Sequence, residues 1–264
     1  MTGPMKLSAL RCGHVVLDEG LLEGGRLRGN PRTVPSMVFA IDHPEGLLLW
    51  DTSMSPAVCT DAVGYLGPLA ESIVVPRFGP EETTTARLGE LGVDAEEVRF
   101  VVNSHLHNDH CGSNRCFPKA TVLYRRSEYG HAVTAAQNPM SGFVADDFLG
   151  DDFDFDFLDY EDEYDLFGDG ALTLVSTIGH TPGHQSLRVT FPSGRRFVLT
   201  GDAVYTAGQL AAGRGPGIAF DDAEASRSST RLQALAAGGA TVLVAHEPAH
   251  WAEVTTTAVL HAEG

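Results

Sequence analysis

The sequence predicts a mixed α+β domain, and three observations predict it. The chain has 264 residues with 43% hydrophobic content, enough to bury a large core within one unit. Strand-length apolar runs and helix-like stretches are interspersed, without the strict alternation of a doubly wound parallel sheet. No long linker or short-period repeat interrupts them, and glycines and prolines are dispersed, so residues 1–264 read as one domain.

The elements follow in order. PSMVFAIDHPEGLLLWDT reads as two strands around a turn at His43 to Gly46, because apolar residues dominate both sides. PEETTTARLGELG reads as a short helix with Pro80 in its first turn and acids just after it. A second start signal, Asp94 to Glu97, leads into VRFVVNSH, a buried strand. Further strands are expected at TVLYRR, ALTLVSTIGH, SLRVTF, RRFVLTGD and TVLVAH. Between them lie two helices. SEYGHAVTAA has Ser127 as its cap, and DDAEASRSSTRLQALAAGG has acids at its start and Gly238 to stop it. Residues 146–165, DDFLGDDFDFDFLDYEDEYD, alternate acids with aromatics. Two readings stand for them: a solvated loop pinned by its aromatic side chains, and a lid over an active site. The pattern is not that of a calcium loop, which needs a central Gly and a terminal bidentate Glu.

Charge restricts the partners. Eighteen basic residues against 35 acidic give −17, and the only lysines are Lys6 and Lys119. A nucleic acid needs a cationic footprint, which this composition does not supply. An anionic membrane surface is disfavoured for the same reason, and no run of about twenty apolar residues is present to span a bilayer. The opening MTGPMKLSALRCG lacks the basic-then-apolar pattern of a secretory signal, so a cytoplasmic location is expected. Neutral or hydrophobic small molecules fit this balance better than highly charged ones. Cys12, Cys59, Cys111 and Cys116 form no CxxC pair and read as small buried thiols.

The chemistry is concentrated in NSHLHNDHCGSN, residues 103–114. His105 and His107 alternate in an extended segment, so they point the same way and can share one cation. Asp109 and His110 sit where the turn enters a helix and can face a second position. Packing four such side chains at the end of a buried strand without a metal would carry a heavy desolvation cost. Other strand-like runs also end in ligand-type residues: His180 after ALTLVSTIG, Asp202 after RRFVLTG and His246 after TVLVA. Together these exceed what one tetrahedral zinc accepts. Two metals are therefore expected, with Asp202 as the bridging carboxylate. His184 reads as a turn or supporting residue, because only His180 lies where the strand leaves off. His14, His43, His131, His250 and His261 have no partner pattern.

HxHxDH, then GHTPGH, then GDA, then a late AH resembles the metallo-β-lactamase superfamily. The match runs from Asp51–Thr52 to His246. The resemblance implies an αββα four-layer sandwich with the site at one sheet edge. It assigns His105, His107 and His180 to one metal and Asp109, His110 and His246 to the other, with Asp202 between them. HLHxDHCG, HTPGHQS and Tyr205 three residues after Asp202 are closest to N-acyl-homoserine lactonases. This chain departs from them at Asn108, where they often carry an aromatic residue, and at Ile178, where they tend to have proline.

That resemblance implies a lactone or related ester as substrate and two divalent ions as cofactors. Zinc is the first expectation, although iron, cobalt and manganese also suit such ligands. A water shared by the ions would lose its proton near neutral pH and attack the ester carbonyl. Tyr205 would donate to the developing oxyanion, and Asp109 would hold the nucleophile and return a proton to the leaving alkoxide. A homodimer accords with related lactonases. The rivals are a thioesterase resembling hydroxyacylglutathione hydrolase and a metal-bound binding module without turnover. The first usually adds a basic helical C-terminal region, whereas 18 residues and no lysine follow His246 here.

Overall fold

The computed structural model describes residues 4–24, 26–72, 74–150 and 154–264. The first sheet contains β1 (Met5–Asp18), β2 (Pro31–His43), β3 (Gly46–Trp50), β4 (Val74–Arg77), β5 (Val98–Val102), β6 (Thr121–Arg125), β7 (Phe155–Leu158) and β13 (Thr257–Glu263). Its order is β13-β1-β2-β3-β5-β6-β7, with β4 paired to the far half of β1. Pairing is antiparallel up to β3 and parallel from β3 to β7. The second sheet contains β8 (Glu163–Asp165), β9 (Leu172–Ser176), β10 (Gln185–Thr190), β11 (Arg196–Leu199) and β12 (Thr241–Leu243), in the order β12-β11-β10-β9-β8.

Alternation along the strands builds the layers. Phe39, Ile41, Leu48 and Trp50 point between the sheets and meet Leu172, Leu174, Leu187 and Val189. Their neighbours Val38, Ala40 and Leu49 point the other way, onto Leu88 of α4 (Thr84–Glu90) and Ala132 of α6 (Arg126–Ala135). On the outside of the second sheet, Val198 and Val244 pack on Leu232 of α8 (Asp222–Ala237). Helix, sheet, sheet and helix are thus stacked in that order, the expected four-layer sandwich. Short helices α1 (Glu19–Glu23), α2 (Val58–Leu66), α3 (Leu69–Ser72), α5 (Asn108–Cys111) and α7 (Ala207–Ala212) line the loops. Among the described residues, no helix is long and apolar enough to cross a membrane.

The turn at His43 to Gly46 and the start and stop of α8 stand as expected; Asp221 accepts from Ala223 and Glu224 N–H groups, and Gly238 ends the helix. Two expectations need correction. Ser127 is not the cap of α6: β6 runs straight into the helix, Arg125 occupies the cap position, and Ser127 lies inside the first turn. The segment from Pro80 is a single 3-10 turn, and α4 begins only at Thr84, capped by the Thr83 hydroxyl. Of the two readings of residues 146–165, the described residues fit the stretch pinned by its aromatic side chains. They supply β7 and β8, and Phe155 and Phe157 stack around Tyr124 and Tyr129 on the flank of the first sheet. None of the described residues in that stretch lines the cavity at the candidate site; residues 151–153 lie outside the described residues.

Candidate metal centre

The ligand-type residues all stand just past strand ends. His105 and His107 follow β5, with Asp109 and His110 in α5. His180 follows β9, Asp202 lies in a 3-10 turn after β11, and His246 follows β12. Parallel β3, β5 and β6 bring their C-terminal ends to one edge, and the second sheet closes over it.

The structure brings all seven together. His105, His107, His180 and Asp202 form one group, and Asp109, His110 and His246 form a second; in each, the ligand atoms lie within 4.8 Å of one another. His105 Nε2 is 2.9 Å from His107 Nδ1, and His180 Nε2 stands 3.2 Å and 3.0 Å from those two atoms. Asp202 faces both groups. Its Oδ2 is 3.3 Å from His180 Nε2, while its Oδ1 is 3.0 Å from His246 Nε2 and 3.2 Å from His110 Nε2.

Partners on the outer nitrogens set the tautomers. His180 Nδ1 donates to the Ile218 carbonyl at 2.7 Å, and His246 Nδ1 to the Pro35 carbonyl at 2.8 Å. His110 Nδ1 meets Asp51 Oδ2 at 2.8 Å. Each of these rings is left with its inner nitrogen free to act as a ligand. His184 accepts the Asp202 N–H at 2.9 Å, while its other nitrogen bonds the Thr177 carbonyl at 3.0 Å. It therefore supports Asp202 from behind.

These residues fit divalent cations. Three imidazole nitrogens pointing at one another cannot satisfy three mutual hydrogen bonds, because each neutral ring has a single N–H already committed or contested. His110 Nε2 and Asp202 Oδ1 are buried and close, yet not aligned as a hydrogen bond. An orphaned pair of this kind is costly without a shared cation. Burial pushes His105, His107 and His180 below the usual imidazole range, which keeps their lone pairs available. At His110 and His246 burial acts the same way, but Asp202 and the neighbouring carboxylates outweigh it and raise both. The carboxylates of Asp202, Asp109 and Asp51 thus set a negative field at the centre that suits cations.

Tyr205 is 3% exposed; its ring stands beside His180 and His246, and its hydroxyl is 3.5 Å from His180 Nδ1. Burial, then Asp202 and Asp109, hold its pKa well above the ordinary phenol value, so it remains a donor. A cavity of about 230 Å³ opens over the centre. Tyr205, Asp109 and Asn108 line it beside His107, His180, Asp202 and His246, and an apolar wall of Val15, Leu17, Leu21, Leu69 and Val74 faces them. Asn108 is tied down by a bond from Nδ2 to the Gly142 carbonyl at 2.9 Å. The cysteines are free thiols outside both ligand groups; Cys12 and Cys111 are buried, whereas Cys59 and Cys116 are only half-buried.

Two supporting residues escape the sequence reading. Asp51 accepts from the Ser104 N–H and hydroxyl at 2.7 and 2.9 Å and orients His110, and its backbone is held at φ 61°. A positive φ at a non-glycine residue is strained, and such strain gathers at functional sites. The acid directly after β3 was the available signal. Glu128, in α6, has no sequence signal at all.

Comparison with known proteins agrees with this geometry. The metallo-beta-lactamase superfamily model matches residues 31–246. An N-acyl homoserine lactonase, AttM, of Azorhizobium caulinodans is 36% identical over 250 residues, covering 94% of this chain and 95% of that protein. The structure of an N-acyl homoserine lactone hydrolase with N-hexanoyl-L-homoserine at its catalytic metal centre superposes with a TM-score of 0.82 at 23% identity, covering 95% and 96% of the two chains. AidC, a dizinc quorum-quenching lactonase, gives a TM-score of 0.65 at 15% identity, covering 98% and 95%. On the match across most of its length, the chain belongs to the metallo-beta-lactamase superfamily.

Proposed function

We propose that this protein is a metal-dependent lactonase that opens the ring of N-acyl-homoserine lactones. The observation that carries the reading is Asp202, whose two oxygens face two separate histidine groups at the floor of an apolar-walled cavity. The lactonase names of relatives that align along nearly the whole chain support it. In this reading His105, His107 and His180 would hold one ion and Asp109, His110 and His246 the other, with Asp202 facing both. Divalent ions there would supply Lewis acidity and make water acidic enough to act near neutral pH.

The chain's own residues do the rest. The apolar wall takes the acyl chain, each buried methylene contributing about 0.8 kcal/mol, and so orients the ring over the floor. Tyr205 keeps its proton and donates to the carbonyl oxygen as it becomes an oxyanion. Asp109 borders the cavity, with a side chain 15% exposed, and carries a proton from the attacking water to the departing ring oxygen. Water adds across the ester bond, and an N-acyl-homoserine leaves. Zinc as the ion, the cytoplasm as the compartment and a homodimer as the assembly belong to the same reading.

The test pairs elemental analysis with a substrate panel. Metal-replete protein is expected to hold two ions per chain and to release acid from a homoserine lactone in weakly buffered indicator. Thiol release from a thioester with no acid from lactones would replace the lactonase by a thioesterase. Two ions with neither activity would leave a binding module.

A further inference from the structure

Glu128 is a buried carboxylate that the proposed chemistry does not use. It stands in the first turn of α6 and is 1% exposed. Its Oε1 accepts the Leu106 N–H at 3.1 Å; its Oε2 accepts the Thr181 hydroxyl at 2.6 Å and the Gly183 N–H at 3.0 Å. Leu106 lies between His105 and His107, and Thr181 follows His180. The donors therefore come from two loops, one leaving β5 of the first sheet and the other joining β9 to β10 of the second. The backbones are in contact here: a Cβ on Gly183 would stand 2.3 Å from the Glu128 nitrogen and 2.4 Å from its Cβ. Only glycine admits that approach.

The surroundings call for a carboxylate. Three donors converge on it, and two are backbone N–H groups that cannot reverse their role. The second ligand group is oriented differently, by Asp51 on His110 and by the Pro35 carbonyl on His246. We propose that Glu128 is a positioning residue that clamps the His105–His107 turn to the His180 loop and holds the three-imidazole group in register for its ion. This rests on reading the two groups as metal sites. The three nitrogens crowd within 3.2 Å, where their lone pairs repel one another without a cation. A rigid support from outside keeps that arrangement from splaying.

The test is a chelator challenge of full-length protein loaded with cobalt, whose residual visible spectrum reports which group stays filled. In Glu128→Gln the ion of the three-imidazole group should leave roughly tenfold faster, with the other ion leaving at the wild-type rate. Thr181→Val should move release the same way by a smaller factor, and Thr181→Ser should restore it. Wild-type release of both ions from Glu128→Gln would overturn the proposal. Equal acceleration of both, in step with a lower melting temperature, would also overturn it by showing general loosening. Should Glu128→Gln fail to fold, Thr181→Val against Thr181→Ser decides, and identical release from that pair counts against the clamp. Fewer than two ions in the wild-type protein would instead sink the metal reading beneath it.

Discussion

Asp202 and Asp147 are both nearly sealed from solvent, at 3% and 1% exposure, yet their surroundings differ. Burial alone raises the pKa of either. At Asp202 the imidazoles of His110 and His246 outweigh burial and hold the carboxyl well below the usual range. At Asp147, at the head of the acidic and aromatic stretch, burial prevails and the pKa is raised to about 7. Tyr65 donates to one of its oxygens, and the other has no hydrogen-bond partner among the described residues. The strand-end loops thus hold a buried carboxylate among imidazoles, whereas on the flank burial disfavours the ionised form of Asp147. In the proposed reading the difference is one of function against support, and it can be broken from either side.

The largest effect should come from the floor. Asp202→Ala removes the carboxylate shared by the two groups, and lactone turnover should fall on the order of a thousandfold or more. Bound metal, measured by elemental analysis, should drop below two ions per chain. Retained turnover would show that the shared carboxylate is not functional.

The flank should behave in the opposite way. Phe148 is fully buried among the aromatic residues beside Tyr129, so Phe148→Ala should lower stability by about 3–5 kcal/mol. Denaturant unfolding measures that loss, while kcat per folded molecule should stay at the wild-type value. A fall in kcat without a fall in stability would favour the lid reading of this stretch.

On turnover, Tyr205 lies between the two. Tyr205→Phe keeps the ring between His180 and His246 but loses the donor, so kcat should fall by roughly ten- to a thousandfold with two ions still bound. Unchanged kcat would return Tyr205 to the core, where its neighbours Val15 and Leu17 already place its ring.

The contrast also explains what could be read in advance. His105, His107, His180, Asp202 and His246 were legible because ligand-type side chains at the ends of apolar runs have few other uses. The four layers followed only from likeness, since strand runs do not reveal sheet order. Strand β1 went unread because Ser8, Arg11 and His14 break its apolar pattern, and its register with β2 shifts between Arg11 and His14. With it went the cavity wall, which Val15 and Leu17 form with Leu69 and Val74 from elements far along the chain. Such walls are products of tertiary packing and leave no local period. Asp51 is marked only by standing directly after β3, and Glu128 is a single acid that only its folded contacts distinguish from the other acidic residues.

The smallest effect concerns Asp147 and has a definite sign. Its folded pKa is raised from 3.8 to about 7, so the protonated form is the one the fold prefers. The stability it contributes is fully present below pH 3.8 and is lost as pH rises towards 7. Asp147→Asn keeps an acceptor for the Tyr65 hydroxyl and cannot ionise. The melting temperature of the variant should therefore gain on that of the wild type as pH rises from 4 to 7, by a few degrees, and the gap should level off above that. Both proteins are compared at the same free metal concentration, so that ion binding cancels in the difference. A gap that is constant with pH would mean that Asp147 is ionised in the folded state, and the contrast with Asp202 would then lose its electrostatic basis.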